Sequence, residues 1–367
     1  ASVPFRTMVC YKTTLDYVNR VDPTNIWTGT WRDPPGAAED GYRPENAVSG
    51  VIFSVDSGST RTITVSPPDA NKRFWRNTGV AGITSTYTLP VNSLGYEWDE
   101  DRDNGFRPAG LFHVSTTVTD VTTYYQDVGT QVAPKSNVEH NMCLYKVPSG
   151  ALVFGSGSMN IIWSLDSTYC CGSTDVNVQQ AIINLFADMG VQPKSLQSGL
   201  TRAFPSTDFT VPLCSVSCLS VNATRFMTIN GTAQDFGGGV IGGIEVSYDG
   251  GSRWHPARGL ESWSYSFTTS NATLLVACRA VDDSGNLGPS TPAYTLSTSP
   301  GSVCVSDTNP SSATPTPSPS PATPTPSPSP ATSTPSPSPA TPTPSPSPAT
   351  STPSPSPATS TPSPSPA

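Results

Sequence analysis

The 367 residues carry 19 Lys and Arg against 27 Asp and Glu, a net charge of −8, and the basic residues are scattered, which gives nucleic-acid binding no footprint. No apolar run reaches bilayer-spanning length; the richest window, 181–187, is short and flanked by polar residues. The composition is uneven: 309–367 contains only Pro, Ser, Thr, Ala and one Asn, holds 22 of the 40 prolines and lacks the apolar surface for a core, whereas 1–308 carries every Trp, Tyr, Phe and Cys and is long enough for two domains.

Ala1 is expected to be a mature N-terminus left after a secretion signal is removed. From there the chain reads as mostly β (α+β). Over 1–205, short runs at 50–55, 62–65, 110–116, 142–147 and 151–154 predict strands, several with alternating apolar residues. One clear helix is predicted over 177–189. Val178, Ile182, Leu185, Phe186 and Met189 form its apolar face, Ser173, Thr174 or Asp175 its cap, and Gly190 and then Pro193 its stop. Over 206–304 the pattern predicts a small β-sandwich, with strands at 226–230, 244–248, 263–267 and 274–281 separated by turns at 235–239, 249–251 and 282–286.

The last segment, 305–367, is a repeat. Ala recurs every nine residues from Ala313 to Ala367, in units such as ATPTPSPSP. Alternating proline forbids helix and sheet and favours polyproline II, in which each unit returns to the same azimuth after about three turns. At about 3.1 Å per residue such a stalk spans about 170 Å.

Eight cysteines, Cys10, Cys143, Cys170, Cys171, Cys214, Cys218, Cys278 and Cys304, point to an oxidising compartment and to full pairing, with the connectivity left open. Zinc is disfavoured, because no C-x-x-C pair exists and the chain has only three His. Asn222, Asn230 and Asn271 each open an N-x-T acceptor for N-glycosylation.

Three resemblances follow from specific residues. The tail is similar to the Ser-Pro and Thr-Pro modules of hydroxyproline-rich glycoproteins from green algae and plants. That likeness implies hydroxylation and O-glycosylation within Pro317, Ser318, Pro319, Ser320, Pro321, Pro326, Ser327, Pro328, Ser329 and Pro330. The segments MVCYK (8–12), TGTWRDP (28–34), PENAVSGVIF (44–53), RFWRNT (73–78), LGYEWDEDRDNGFRPAGL (94–111), LYKVPSGALVFGSGS (144–158) and VQQAIINLFADMGVQP (178–193) resemble the latter part of the N,N-dimethylformamidase large-subunit family. Residues 226–289, with VSYDGGSRWHPA and RAVDDSGN, look like an immunoglobulin-like module. The dimethylformamidase likeness implies an iron site built from Tyr and an acidic residue of a motif preceding the equivalent of Met8, and this chain contains no such motif. Glu97 is the position matching a family acid/base, with no metal to act on. Sheet edges left open by the missing part are expected to need cover, which a neighbouring subunit could supply by strand addition.

Among candidate sites, Asp99-x-Asp101-x-Asp103 has the alternate spacing of Ca²⁺ ligands, although Gly105 falls one place late; the favoured reading pairs these carboxylates with Arg102, Arg107 and backbone donors. His140 beside Glu139 is read as structural rather than as a base, and His255 as packing. Cys143 and Cys10 are nucleophiles only if unpaired. Trp27, Trp31, Trp75 and Trp163 are read as core rather than as a sugar platform.

The sequence therefore points to a non-catalytic structural protomer of an extracellular glycosylated filament, cell-wall or ciliary-surface fibre. Its partners are expected to be further copies of itself and covalent N- and O-linked glycans, with no nucleic acid, no membrane insertion and no cofactor beyond a calcium option. Two other readings stay open: a secreted metal-dependent amidohydrolase, dimethylformamidase-like, whose metal-binding half is missing or on another chain, and a carbohydrate-binding wall protein.

Overall fold

The computed structural model describes Arg32 and residues 43–126, 131–168 and 171–305. Contacts divide the chain into a unit ending at Asn309 and a second, Pro310–Ala367; the second lies outside the described residues, and with it every predicted O-glycosylation position. Cys10, Cys170, Trp27 and Trp31 also lie outside them. The fold is β-rich, 41% strand and 12% helix, and its sheets are antiparallel, as the alternating runs predict.

The body contains strands β1 (Ile52–Asp56), β2 (Thr64–Val65), β3 (Tyr87–Thr88), β4 (Glu97–Glu100), β5 (Phe112–Gln126), β6 (Gln131–Lys146) and β7 (Leu152–Gly155). Its main sheet has the order β4-β1-β5-β6-β7, and β2 pairs with β3. The centre is a long hairpin in which β5 pairs with β6 from Phe112↔Leu144 to Gln126↔Gln131. Phe112, Val114, Val138, Met142 and Leu144 bury one end of it, while β6 is mostly exposed over 131–137. Sequence patterning marks only the buried end, because alternation disappears where neither face is covered.

The helices are α1 (Asn46–Ser49), α2 (Pro67–Ala70) and α3 (Val176–Asp188). Asp175 settles the cap of α3, its carboxylate accepting from Asn177 N at 2.8 Å. Val178, Ala181 and Leu185 lay the apolar face of α3 on the core, where Trp75 is fully buried and donates its indole N–H to Val114 O at 2.7 Å. Gly190 takes φ 80°, the left-handed conformation that ends the helix. Phe186 and Met189, placed on the apolar face by spacing, are instead 40% exposed. Trp75 is core as expected, and Trp163 is half-buried elsewhere.

Strands β8 (Leu213–Val221), β9 (Phe226–Gln234), β10 (Ile241–Ser247), β11 (His255–Pro256), β12 (Arg258–Gly259), β13 (Ser262–Thr268), β14 (Thr273–Asp282), β15 (Tyr294–Ser297) and β16 (Gly301–Cys304) build a sandwich. One sheet runs β11-β10-β14-β15 and the other β12-β13-β9-β8-β16. Leu219, Met227, Ile229, Ile244, Val246, Trp263 and Val276 from both sheets share one core. Cys214–Cys278 joins the two sheets through β8 and β14, and Cys218–Cys304 joins β8 to β16 within one sheet. Cys171 is disulfide-bonded as well.

Cys143 departs from the expected pairing: it is a free, buried thiol. It sits on the central strand β6, packed with Val51, Leu111 and Tyr145. An even count of cysteines does not bring a partner to a core position.

Candidate functional site

A cleft of about 930 Å³ opens between body and sandwich, lined from one side by Asp69, Lys72, Asp101 and His113 and from the other by Arg258 and Glu261. The local sequence builds it simply. After β4 the chain leaves the sheet at Asp101, and Arg107 returns beneath it before β5 begins.

Arg107 is the hub. Its Nε donates to both carboxylate oxygens of Asp101 at 2.9 Å, Nη1 to Glu245 Oε1 at 2.9 Å and Nη2 to Leu111 O at 2.8 Å. Arg279 Nε donates to Glu245 Oε2 at 2.6 Å. The side chains of Arg107, Asp101 and Glu245 are only 5%, 2% and 4% exposed. Burial pushes the Asp101 carboxyl up, but Arg107 and His113 outweigh it and hold it below the usual carboxylate range. Burial likewise opposes the charge on Arg107, yet Asp101 and Glu245 hold its pKa above the ordinary arginine value. A network that joins β4, β5, β10 and β14 in this way fixes how the sandwich seats on the body.

The other cleft groups are also engaged. His113 Nε2 lies 2.8 Å from Asp101 Oδ2 and its Nδ1 lies 3.2 Å from Asn141 Nδ2, so the amide donates to Nδ1 and the ring N–H goes to Asp101. Both ring nitrogens are thereby occupied. Lys72 and Asp69 pair at 2.8 Å inside the protein; burial raises the Asp69 carboxyl, and Lys72 brings it below its ordinary value. Cys143 stands opposite His113 in the β5–β6 register. Burial, followed by the negative charge of Asp101, pushes its thiol well above the ordinary cysteine value.

The aspartates 99, 101 and 103 do not converge. Asp101 faces Arg107 and His113, and Asp103 accepts from His255 Nδ1 at 2.7 Å. Asp99 sits where burial, then the charge of Glu45, raise its pKa to about 7. On a continuing strand the alternate spacing would put all three on one face, but β4 ends at Glu100, so Asp101 and Asp103 follow an irregular backbone and the side chains diverge. Glu97 is exposed on the edge strand β4. His140 is fully buried, with Nε2 3.1 Å from Ser156 O, and burial lowers its pKa to about 4, in keeping with a structural role. His255 packs as expected, stacked on Tyr248 at 4.9 Å.

Of the glycosylation acceptors, Asn222 and Asn271 are exposed, while Asn230 is half-buried in β9 between β8 and β13. Asn222 and Asn271 share one end of the sandwich, where Arg225 Nη2 donates to Asn271 O at 3.0 Å.

The expected pairing of this acidic run with Arg107 is seen at Asp101, whereas Glu245 and His113 are the residues that sequence reasoning missed. Glu245 lies 138 residues from its partner, and no local pattern signals that meeting.

Residues 1–175 match the family described as N,N-dimethylformamidase beta subunit-like, C-terminal. No curated protein matches the chain. Two tyrosines that meet carboxylates, Tyr124 and Tyr87, are already held by other partners. Tyr124 meets Glu100, but Arg102 also donates to Tyr124, and Lys135 lies 3.8 Å from its ring, so cations already fill the place. Tyr87 donates to Asp175 at 2.7 Å, and that carboxylate is committed to capping α3. No helix among the described residues is long and apolar enough to cross a membrane.

Proposed function

We propose that this chain is a structural protomer of an extracellular glycosylated assembly: a rigid two-part head carrying a sugar-decorated polyproline II stalk. The observation that carries this reading is the nine-residue Ser/Thr-Pro repeat from Ala313 to Ala367, which supplies stiffness and sugar-attachment sites and no core. The head suits that role. Its buried charges are spent on one another across the body–sandwich junction. Its last strand, β16, is bonded to β8 through Cys218–Cys304 just before the stalk begins, so tension on the stalk would fall on a covalent link. Disulfides of this kind persist in oxidising compartments, in keeping with secretion.

Self-association would use an open strand edge. Among the described residues β6 pairs with β7 only over Cys143–Lys146, leaving its outer edge over 131–142 without a second ladder. Intact mass before and after deglycosylation tests the reading. Many pentose or hexose units on the stalk, with filaments visible by electron microscopy, are the expected result; an unmodified mass overturns it.

A second reading starts from the match of residues 1–175: a metal-dependent amidohydrolase completed by another chain. Iron at near one per chain together with amide hydrolysis would establish that reading in place of the first.

A further inference from the structure

Away from the cleft, three aspartates meet at the end of the sandwich that faces the body. Asp208 precedes β8, Asp235 opens the β9–β10 loop and Asp282 closes β14. One carboxylate oxygen from each lies within 4.8 Å of the others. We propose that Asp208, Asp235 and Asp282 bind a divalent cation of the calcium type and that the ion braces the junction between sandwich and body.

The geometry around Asp208 calls for a cation. Asp208 Oδ2 is shut off from solvent and has no hydrogen-bond partner, which is strongly unfavourable for an anionic oxygen unless an ion meets it. The cations nearby are committed elsewhere: Arg73 and Arg76 both pair with Asp188, at 2.6 and 2.9 Å. The loop also leaves space where the oxygens point. A Cβ on Gly239 would stand 2.6 Å from Asp283 Oδ1, 3.1 Å from Asp208 Oδ2 and 3.3 Å from Asp235 Oδ2, and one on Gly237 would stand 1.8 Å from Asp208 Oδ1. Two of the three proposed ligands, Asp208 and Asp235, thus face the Gly239 position together with Asp283.

The donor set selects the ion. All three ligands are carboxylate oxygens, with no imidazole or thiolate, which suits hard Ca²⁺ rather than zinc. Outer contacts hold the ligands in place: Asp235 Oδ2 accepts from Gly239 N at 3.0 Å, and Asp282 Oδ1 accepts from Ser284 N and Asn286 N at 2.8 Å. The link to the body is one residue away, where Asp283 Oδ2 accepts from Arg73 N at 2.6 Å.

The test uses the full chain stripped with EGTA and titrated with CaCl₂ alone, followed by calorimetry and thermal unfolding. One Ca²⁺ per chain and a rise in Tm of roughly 5 °C at a hundredfold excess over Kd are expected. Asp208→Asn is expected to lose the Ca²⁺-dependent rise while unfolding in EGTA no earlier than the parent, since it removes an unpaired buried charge. Asp235→Asn serves as the second variant. The proposal is overturned if the parent chain shows no calcium-dependent shift, or if both variants keep the full shift.

Discussion

The body and the sandwich solve the same packing problem with different chemistry. Where the body meets its neighbour it buries ionised side chains, Asp101, Arg107 and Glu245, beside Lys72 and Asp69. The core of the sandwich is aliphatic and aromatic, closed by Cys214–Cys278 and edged by Cys218–Cys304. Buried ion pairs add little net stability over apolar residues, yet they penalise every misaligned docking, because a displaced partner leaves a charge alone in a dry place. Disulfides act mainly on the unfolded chain by restricting it. Orientation in the head therefore rests on charge, and endurance on sulfur.

The comparison is broken most directly at its hub. Arg107→Ala leaves Asp101 only His113 and Glu245 only Arg279 as side-chain partners in a buried place, and urea unfolding should show a loss of about 3–5 kcal/mol. Removing the inter-sheet link with Cys214→Ser and Cys278→Ser together should cost less, about 2–4 kcal/mol, and leave the His113–Asp101 contact intact by NMR. If the cysteine variant proves the more damaging, the division of labour is wrong.

A pH series sharpens the same contrast. Asp99 has a folded pKa of about 7, above its unfolded value, so the folded state holds the proton more tightly. Its contribution is full at low pH and is lost as pH rises from about 4 to about 7. Asp99→Asn should flatten the fall in thermal stability across that window; an unchanged slope would show that Asp99 is ordinary. The smallest expected effect on stability is at the hairpin. Val132 is 54% exposed on β6, and Val132→Lys should shift monomer stability by less than about 0.5 kcal/mol while suppressing assembly seen by sedimentation.

Legibility in the sequence followed burial. Helix α3 could be read to within one residue because one face is covered, which imposes the 3.6-residue period, and because Asp175 is a competent cap. The β10, β13 and β14 runs were legible for the matching reason, with period two and Gly-rich turns between them. The outer half of the β5–β6 hairpin was not. Residues 131–137 of β6 are mostly exposed there, and β5 buries only Val121 and Tyr124, three residues apart, so no period-two pattern marks the pairing.

The sequence by itself determined the β-rich class, the helix and the nine-residue period of the tail, since each depends on local periodicity or composition. The tertiary structure alone decided that Cys143 has no partner, that three neighbouring aspartates diverge while three distant ones converge, and that Arg107 meets Glu245 across the junction. Charge pairing acts through space over a few ångströms, and chain order carries no record of which distant residues will come that close.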